Sequence, residues 1–183
     1  MNKIFYTLPL ALACLSAQAS TFQINSPDVP TGGKIPQSFA FNGFGCTGQN
    51  VSPALSWKNA PAGTKSFAIT VHDPDAVTGG AGFWHWVVIN IPSSSQKLAG
   101  GAGTADGAAL PAGATHIPTD FGTPGWGGPC PPTGDKAHRY NFTVYALKVE
   151  KLELPATATA SLAGFMINAN ALGKASFTST YQR

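Results

Sequence analysis

Two carboxylates, Asp73 and Asp75, stand one residue apart just ahead of a run that carries His85 between two tryptophans. A second polar pair, His138 and Tyr140, opens another apolar run further along the chain. A phosphate-like anion can accept hydrogen bonds from protonated imidazoles, a phenol hydroxyl and glycine backbone amides. Carboxylates beside such an anion repel it unless they orient and charge the imidazoles, or receive the ammonium of a zwitterionic headgroup. The same four Asp and His residues could instead hold a metal for hydrolysis. That alternative is weakened because the chain has no HExxH, no closely spaced His pair and no G-x-S-x-G elbow.

Strands must position these residues, because side chains along a strand alternate between its faces. In Phe67, Ile69, Val71, Asp73 an apolar stripe ends on a carboxylate, and in His138, Tyr140, Phe142, Val144 the first two members of the stripe are polar. His85 is read on a stripe with Phe83, Val87 and Ile89. Three strands therefore put Asp, His and Tyr on a buried face near a strand end, where ionisable groups must pair or hydrogen-bond. The pattern predicts a pocket at a sheet edge lined by Asp73, Asp75, His85, His138 and Tyr140. Each residue also has a plain structural role open to it: Asp73 before Pro74 could start a turn, His85 could be a satisfied core histidine, and His138 could cap a strand. His72, facing away from its stripe, and His116, in a Pro-rich loop, are read as structural.

Segments rich in β-branched and aromatic residues between Gly and Pro punctuation predict a mainly β domain. The clearest strands are 66–72, 83–91 and 138–149; weaker ones are 21–25, 37–42, 54–57 and 175–181. One helix is predicted over 157–172, with Leu162, Phe165, Met166, Ala169 and Leu172 as its apolar face and Gly173 as the stop signal. The stretch 98–135 is long, aperiodic and rich in Gly and Pro, and is read as a folded wall because "TDFGTPGWGGPC" (119–130) carries two aromatics and a cysteine.

Residues 1–19 read as a cleavable signal peptide: Lys3, an apolar run over 4–15 that is too short to span a bilayer, and the Ala17-Gln18-Ala19 cleavage pattern. A lipid attached at Cys14 is the lesser alternative. The mature chain, 20–183, is then one domain of ample core size in the periplasm or secreted. Losing Lys3 takes the formal charge from +3 to +2, too weak and too scattered to argue for nucleic acid or an anionic membrane. Charged residues are 10% of the chain, against about 25% in an average soluble protein. Cleavage leaves Cys46 and Cys130, which in an oxidising compartment are expected to pair and to stabilise by roughly 4 to 5 kcal/mol on chain-entropy grounds; otherwise they remain two free buried thiols. Of the two N-x-[ST] matches, Asn50 and Asn141, the second falls in a strand.

"DPDAVTGGAGFWHWVVINIP" (73–92) and "GGPCPPTGDKAHRYNFTVYAL" (127–147) resemble the two signature segments of the phosphatidylethanolamine-binding protein family, in particular its bacterial Raf kinase inhibitor-like, YbhB/YbcL-type branch. The resemblance runs from about Phe22 to Arg183. It implies a β-sandwich with a few short helices, including one near the C-terminus, and a small surface pocket that in relatives holds phosphate-like groups. By motif, Asp73 and Asp75 come from the DPD element, His85 from HW, and His138 and Tyr140 from HRY, with Gly128 and neighbouring backbone completing the rim. The resemblance implies a homodimer and a possible protein target of inhibition, no cofactor, and a phosphate or phosphoethanolamine-like ligand. Two positions depart from the family pattern. Val77 stands where a proline is usual, and Asn170 stands where relatives often carry a histidine.

Overall fold

The computed structural model describes residues 20–183; the leader read at 1–19, with Cys14, lies outside them. Ten strands and one helix follow one another in the order β1 (Gln23–Asn25), β2 (Asn42–Gly43), β3 (Cys46–Thr47), β4 (Leu55–Lys58), β5 (Ser66–Asp73), β6 (Phe83–Pro92), β7 (Lys97–Leu98), β8 (Thr115–His116), β9 (His138–Leu147), α1 (Ala160–Asn170) and β10 (Ala171–Tyr181). β10, β9, β5, β6 and β8 form the main antiparallel sheet in that order. β1, β4 and β7 form a second, and β2 with β3 makes a short ribbon.

The main sheet is covered on both faces, which is why its central strands read as near-continuous apolar runs. On one face Phe67, Ile69 and Val71 of β5 join Tyr140, Phe142 and Val144 of β9, and meet Ile24, Leu55 and Trp57 of the small sheet. This is the sandwich core. On the other face Ala68, Val87, Ile89, Tyr145 and Leu147 pack under Ala160, Ala163 and Ile167 of α1.

The helix sits within the predicted segment, but its buried face differs. Ala160, Ala163, Gly164 and Ile167 face the sheet, while Leu162 and Phe165 point outward, Phe165 being 70% exposed. Small residues win this face because the helix lies close on the sheet: a Cβ on Gly164 would stand 3.3 Å from the Trp84 ring. Thr159 caps the N-terminus, its hydroxyl accepting from the Leu162 amide. Gly173 does not stop the helix. The chain passes from Asn170 directly into β10, and Gly173 lies at a register shift of that strand. The strand expected at 37–42 is instead one 3-10 turn over Gln37–Phe39 following Pro36. The carbonyls of Ser38 and Ala40 accept from the amides of Gln49 and Asn50, so the segment spends its backbone bonds on a neighbouring loop.

Candidate functional site

Antiparallel pairing brings the end of β5 beside the starts of β6 and β9: Asp73 pairs with Phe83, and His72 with Asn141. The polar ends of the stripes therefore meet at one sheet edge, as the alternation of β5 and β9 predicts. β6 reaches the same place differently. Val71 pairs with Trp86 and His72 with Trp84, leaving His85 as the extra residue of a bulge. Because of the bulge, Trp86 and Val88 turn into the sandwich core while Val87 and Ile89 go under the helix. The expected stripe of His85 with Val87 and Ile89 is thus broken, yet His85 itself faces the pocket beside Phe83.

The cavity at this edge has a volume of about 230 Å³. Asp73, His85, His138 and Tyr140 form its polar floor, and all four are buried. Phe83, Phe121, Phe44 and Val77 form walls and rim together with Cys130, Pro131 and Pro132. Phe44 and Val77, 73% and 91% exposed, stand at the mouth.

Asp73 fills both of the roles open to it. One carboxylate oxygen accepts from the amides of Asp75 (2.8 Å) and Ala76 (3.1 Å) and so fixes the turn. The other accepts from His138 Nδ1 at 2.7 Å. The turn holds with Val77 in place of proline because this carboxylate pins it. His138 Nε2 lies 3.4 Å from Asp135 Oδ2, which puts a carboxylate on each side of the ring. His85 Nδ1 donates to the Gly127 carbonyl at 2.6 Å, leaving Nε2 as its remaining polar atom. Burial pushes the His85 imidazole down to about 4, against the upward pull of the Gly127 carbonyl and Asp73. The ring is therefore neutral near pH 7. The Tyr140 hydroxyl is buried, and the acceptor beside it is the Asp73 carboxylate, which stands outside full hydrogen-bond geometry; burial first, and then that carboxylate, raises the Tyr140 pKa.

Two predicted pocket residues are engaged elsewhere. Asp75 holds Arg139 through both oxygens, at 2.9 Å from Nε and 2.6 Å from a terminal nitrogen, and also accepts from the Arg139 amide. That guanidinium lowers the Asp75 pKa to about 2. Asp75 clamps the turn onto β9 and lines no part of the cavity. Gly128 donates its amide to Asn50 Oδ1 at 2.8 Å, and a Cβ there would lie 2.1 Å from the Phe39 carbonyl oxygen. Gly128 allows a close backbone approach and leaves no amide for the rim, while its backbone stands beside the His85 ring and pulls that ring's pKa upward. Asn170, at the end of α1 on the opposite side of the sheet, donates to the Met166 carbonyl and is not part of the site. His72 binds the Ala81 carbonyl, and His116 accepts from Trp86 Nε1, so each is engaged away from the cavity.

Cys46 and Cys130 are joined by a disulfide. It ties the β2–β3 ribbon, whose turn carries Phe44, to the segment that supplies Cys130, Pro131 and Pro132. Arg183 makes a second tie between the same two walls, donating to the carbonyls of Pro131 and Phe44. Asp120 fixes the Phe121 loop by accepting from the Trp84 amide at 2.8 Å. The aromatic walls and Arg183 carried no polar pattern in the sequence; the cysteine beside the Phe44 turn was the one pointer to that segment.

With this arrangement in hand, comparison with known proteins is decisive: residues 25–182 match the family model described as phosphatidylethanolamine-binding protein. The chain belongs to the phosphatidylethanolamine-binding protein family. Among its relatives, UPF0098 protein YbcL of Escherichia coli (strain K12) is 47% identical over 182 residues, covering 100% of this chain and 99% of its own. UPF0098 protein YbhB of the same organism is 44% identical, over 85% of this chain and 97% of its own. Putative lipoprotein LppC of Mycobacterium tuberculosis (strain ATCC 25618 / H37Rv) is 40% identical, over 90% and 74%. The crystal structure of E. coli YbcL superposes with a TM-score of 0.87 at 48% identity, covering 90% of this chain and 99% of that one. The family fold is thus the sandwich seen here, with the helix just before its last strand.

Proposed function

We propose that this protein is exported and binds a small anionic or phospho-headgroup ligand in the cavity floored by Asp73, His85, His138 and Tyr140. It acts through binding, as an inhibitor or modulator of a partner protein, and works as a homodimer. The observation that carries the reading is the buried polar floor: two imidazoles and a phenol hydroxyl that makes no full hydrogen bond to the protein, beneath an open, aromatic-walled mouth. A buried hydroxyl short of a full hydrogen bond costs free energy that a ligand acceptor can recover. The family's description names a lipid whose headgroup joins a phosphate to an ammonium, and the carboxylates of Asp73 and Asp135 suit the ammonium end. Export is supported by the disulfide, which belongs in an oxidising compartment, and by the lipoprotein name of the mycobacterial relative.

Metal-assisted hydrolysis lacks a ligand set: among the described residues no group of three or more His, Cys, Asp or Glu side chains is arranged to hold a metal ion. Calorimetry of the mature chain with phosphate and phosphoethanolamine at pH 5.5 and 7.5 tests the binding reading. Affinity should rise at the lower pH, because an anion at His85 favours a proton in the site, and should fall about tenfold or more in His138→Ala. Absence of heat with both ligands at both pH values would overturn it.

A further inference from the structure

β10 is the end strand of the main sheet, so one of its edges is paired with β9 and the other faces outward. The outward edge is covered over its C-terminal half alone. There the Thr178 carbonyl accepts from the Gly32 amide, the Thr180 carbonyl accepts from the Ile35 amide, and the Thr180 amide donates to the Gly33 carbonyl. In an antiparallel pair the backbone groups that point away from the partner strand recur at every second residue. Those of Lys174 and Ser176 therefore point the same way as those of Thr178 and Thr180, and no strand pairs with them. Beside this half of β10 runs a groove of about 660 Å³, lined by residues 22–25, Lys58, Ala175 and Ser176. Its far bank is β1, itself the end strand of the small sheet. Two end strands thus flank one open groove, an arrangement that accepts an added strand.

Charge selects the occupant. Among the described residues neither Lys58 nor Lys174 is in an ion pair, and no carboxylate lines the groove. A second copy docked edge to edge would bring lysine against lysine, which is unfavourable in a strand pair. We infer that the free edge of β10 at Lys174 and Ser176 takes up an extended, acidic peptide segment of a partner protein by strand addition. The inference rests on the partner-modulating role proposed above and names the surface that carries it. Backbone bonds to Lys174 and Ser176 hold the segment in place. Side chains of a strand alternate between faces, so two neighbouring carboxylates of the segment are presented to opposite sides. One meets Lys174, whose ammonium lies on the Tyr145 side of the sheet, and the other meets Lys58 in the groove.

The test is an NMR titration of the backbone amides of the mature chain with the peptide acetyl-Thr-Val-Glu-Glu-Val-Thr-amide. Saturable shifts should centre on residues 172–178 and 22–25, and the Ser176 amide should exchange more slowly with solvent. A peptide with Lys-Lys in place of Glu-Glu, and the Lys58→Glu, Lys174→Glu double variant, should each bind about tenfold more weakly. Ser176→Pro removes an amide that points away from β9 and so leaves the main ladder intact; it should weaken binding about fivefold. If that variant does not fold, a copy of the peptide N-methylated at alternate amides makes the same deletion from the other side. No shift in β10 at millimolar peptide, or equal binding of the N-methylated copy, would overturn the inference. So would a fall from dimer to monomer in Ser176→Pro on sedimentation, which would give the edge to a second copy. Phosphate added to the same sample separates the two claims: a silent β10 with responsive cavity histidines overturns this surface alone, and silence of both overturns the binding role as well.

Discussion

At the scale of single residues, the floor of the pocket is set by how each polar side chain divides its hydrogen bonds. Asp73 gives one oxygen to the turn and one to His138, and His85 gives one nitrogen to Gly127, so each presents a defined remainder to the cavity. Asp75 gives everything to Arg139 and contributes stability in place of binding. Its folded pKa of about 2 lies below the ordinary 3.8. The stabilisation is therefore complete above about pH 4 and is lost as pH falls toward 2. Because the guanidinium is largely exposed and screened, Asp75→Asn should cost about 1 kcal/mol at pH 7. Urea denaturation should show the gap between variant and wild type narrowing from pH 4 to pH 2, while phosphate affinity is unchanged at pH 7. Asp73, His138 and Tyr140 were legible in the sequence because period-2 alternation continues to the very ends of β5 and β9. Asp75 and Gly128 lie outside the cavity lining because each has a partner that motif spacing does not reveal, Arg139 on the adjoining strand and Asn50 across the loop.

At the scale of elements, the main strands could be read from β-branched and aromatic runs, but two local irregularities could not. The bulge at His85 inverts the faces of β6 beyond it, which a strict alternation cannot foresee. The helix inverts its face for a different reason. Leu162 and Phe165 point outward and the small residues inward, because the sheet beneath already supplies bulky groups such as Trp84 and Tyr145; Ala, Gly and Ile167 fill the buried centre, and of the expected face Met166 packs at its margin. This phase has a direct test in chemical denaturation. Ile167→Ala should lose about 2 to 4 kcal/mol, the cost of a cavity under the helix, whereas Phe165→Ser should stay within about 0.5 kcal/mol as a surface change. The reverse order would restore the face that helical periodicity alone predicts.

At the scale of the whole molecule, the sandwich brings together segments that run from Phe44 to Tyr140, and the Cys46–Cys130 disulfide and Arg183 fasten the most distant of them. Only long-range contact makes Phe44 part of the site, so no local pattern in the sequence marks it. The four histidines report on the molecule separately. His85 and His138 lie on the cavity floor, His72 packs at a tilt against Trp84 on the other face of β5, and His116 bonds Trp86 in the core. The most direct measurement of the central claim is therefore an NMR titration of the imidazole ring signals with inorganic phosphate. The account predicts saturable shifts of His85 and His138 together, with His72 and His116 unmoved. Shifts confined to His72 or His116, or no shift of the cavity pair at saturating phosphate, would contradict it.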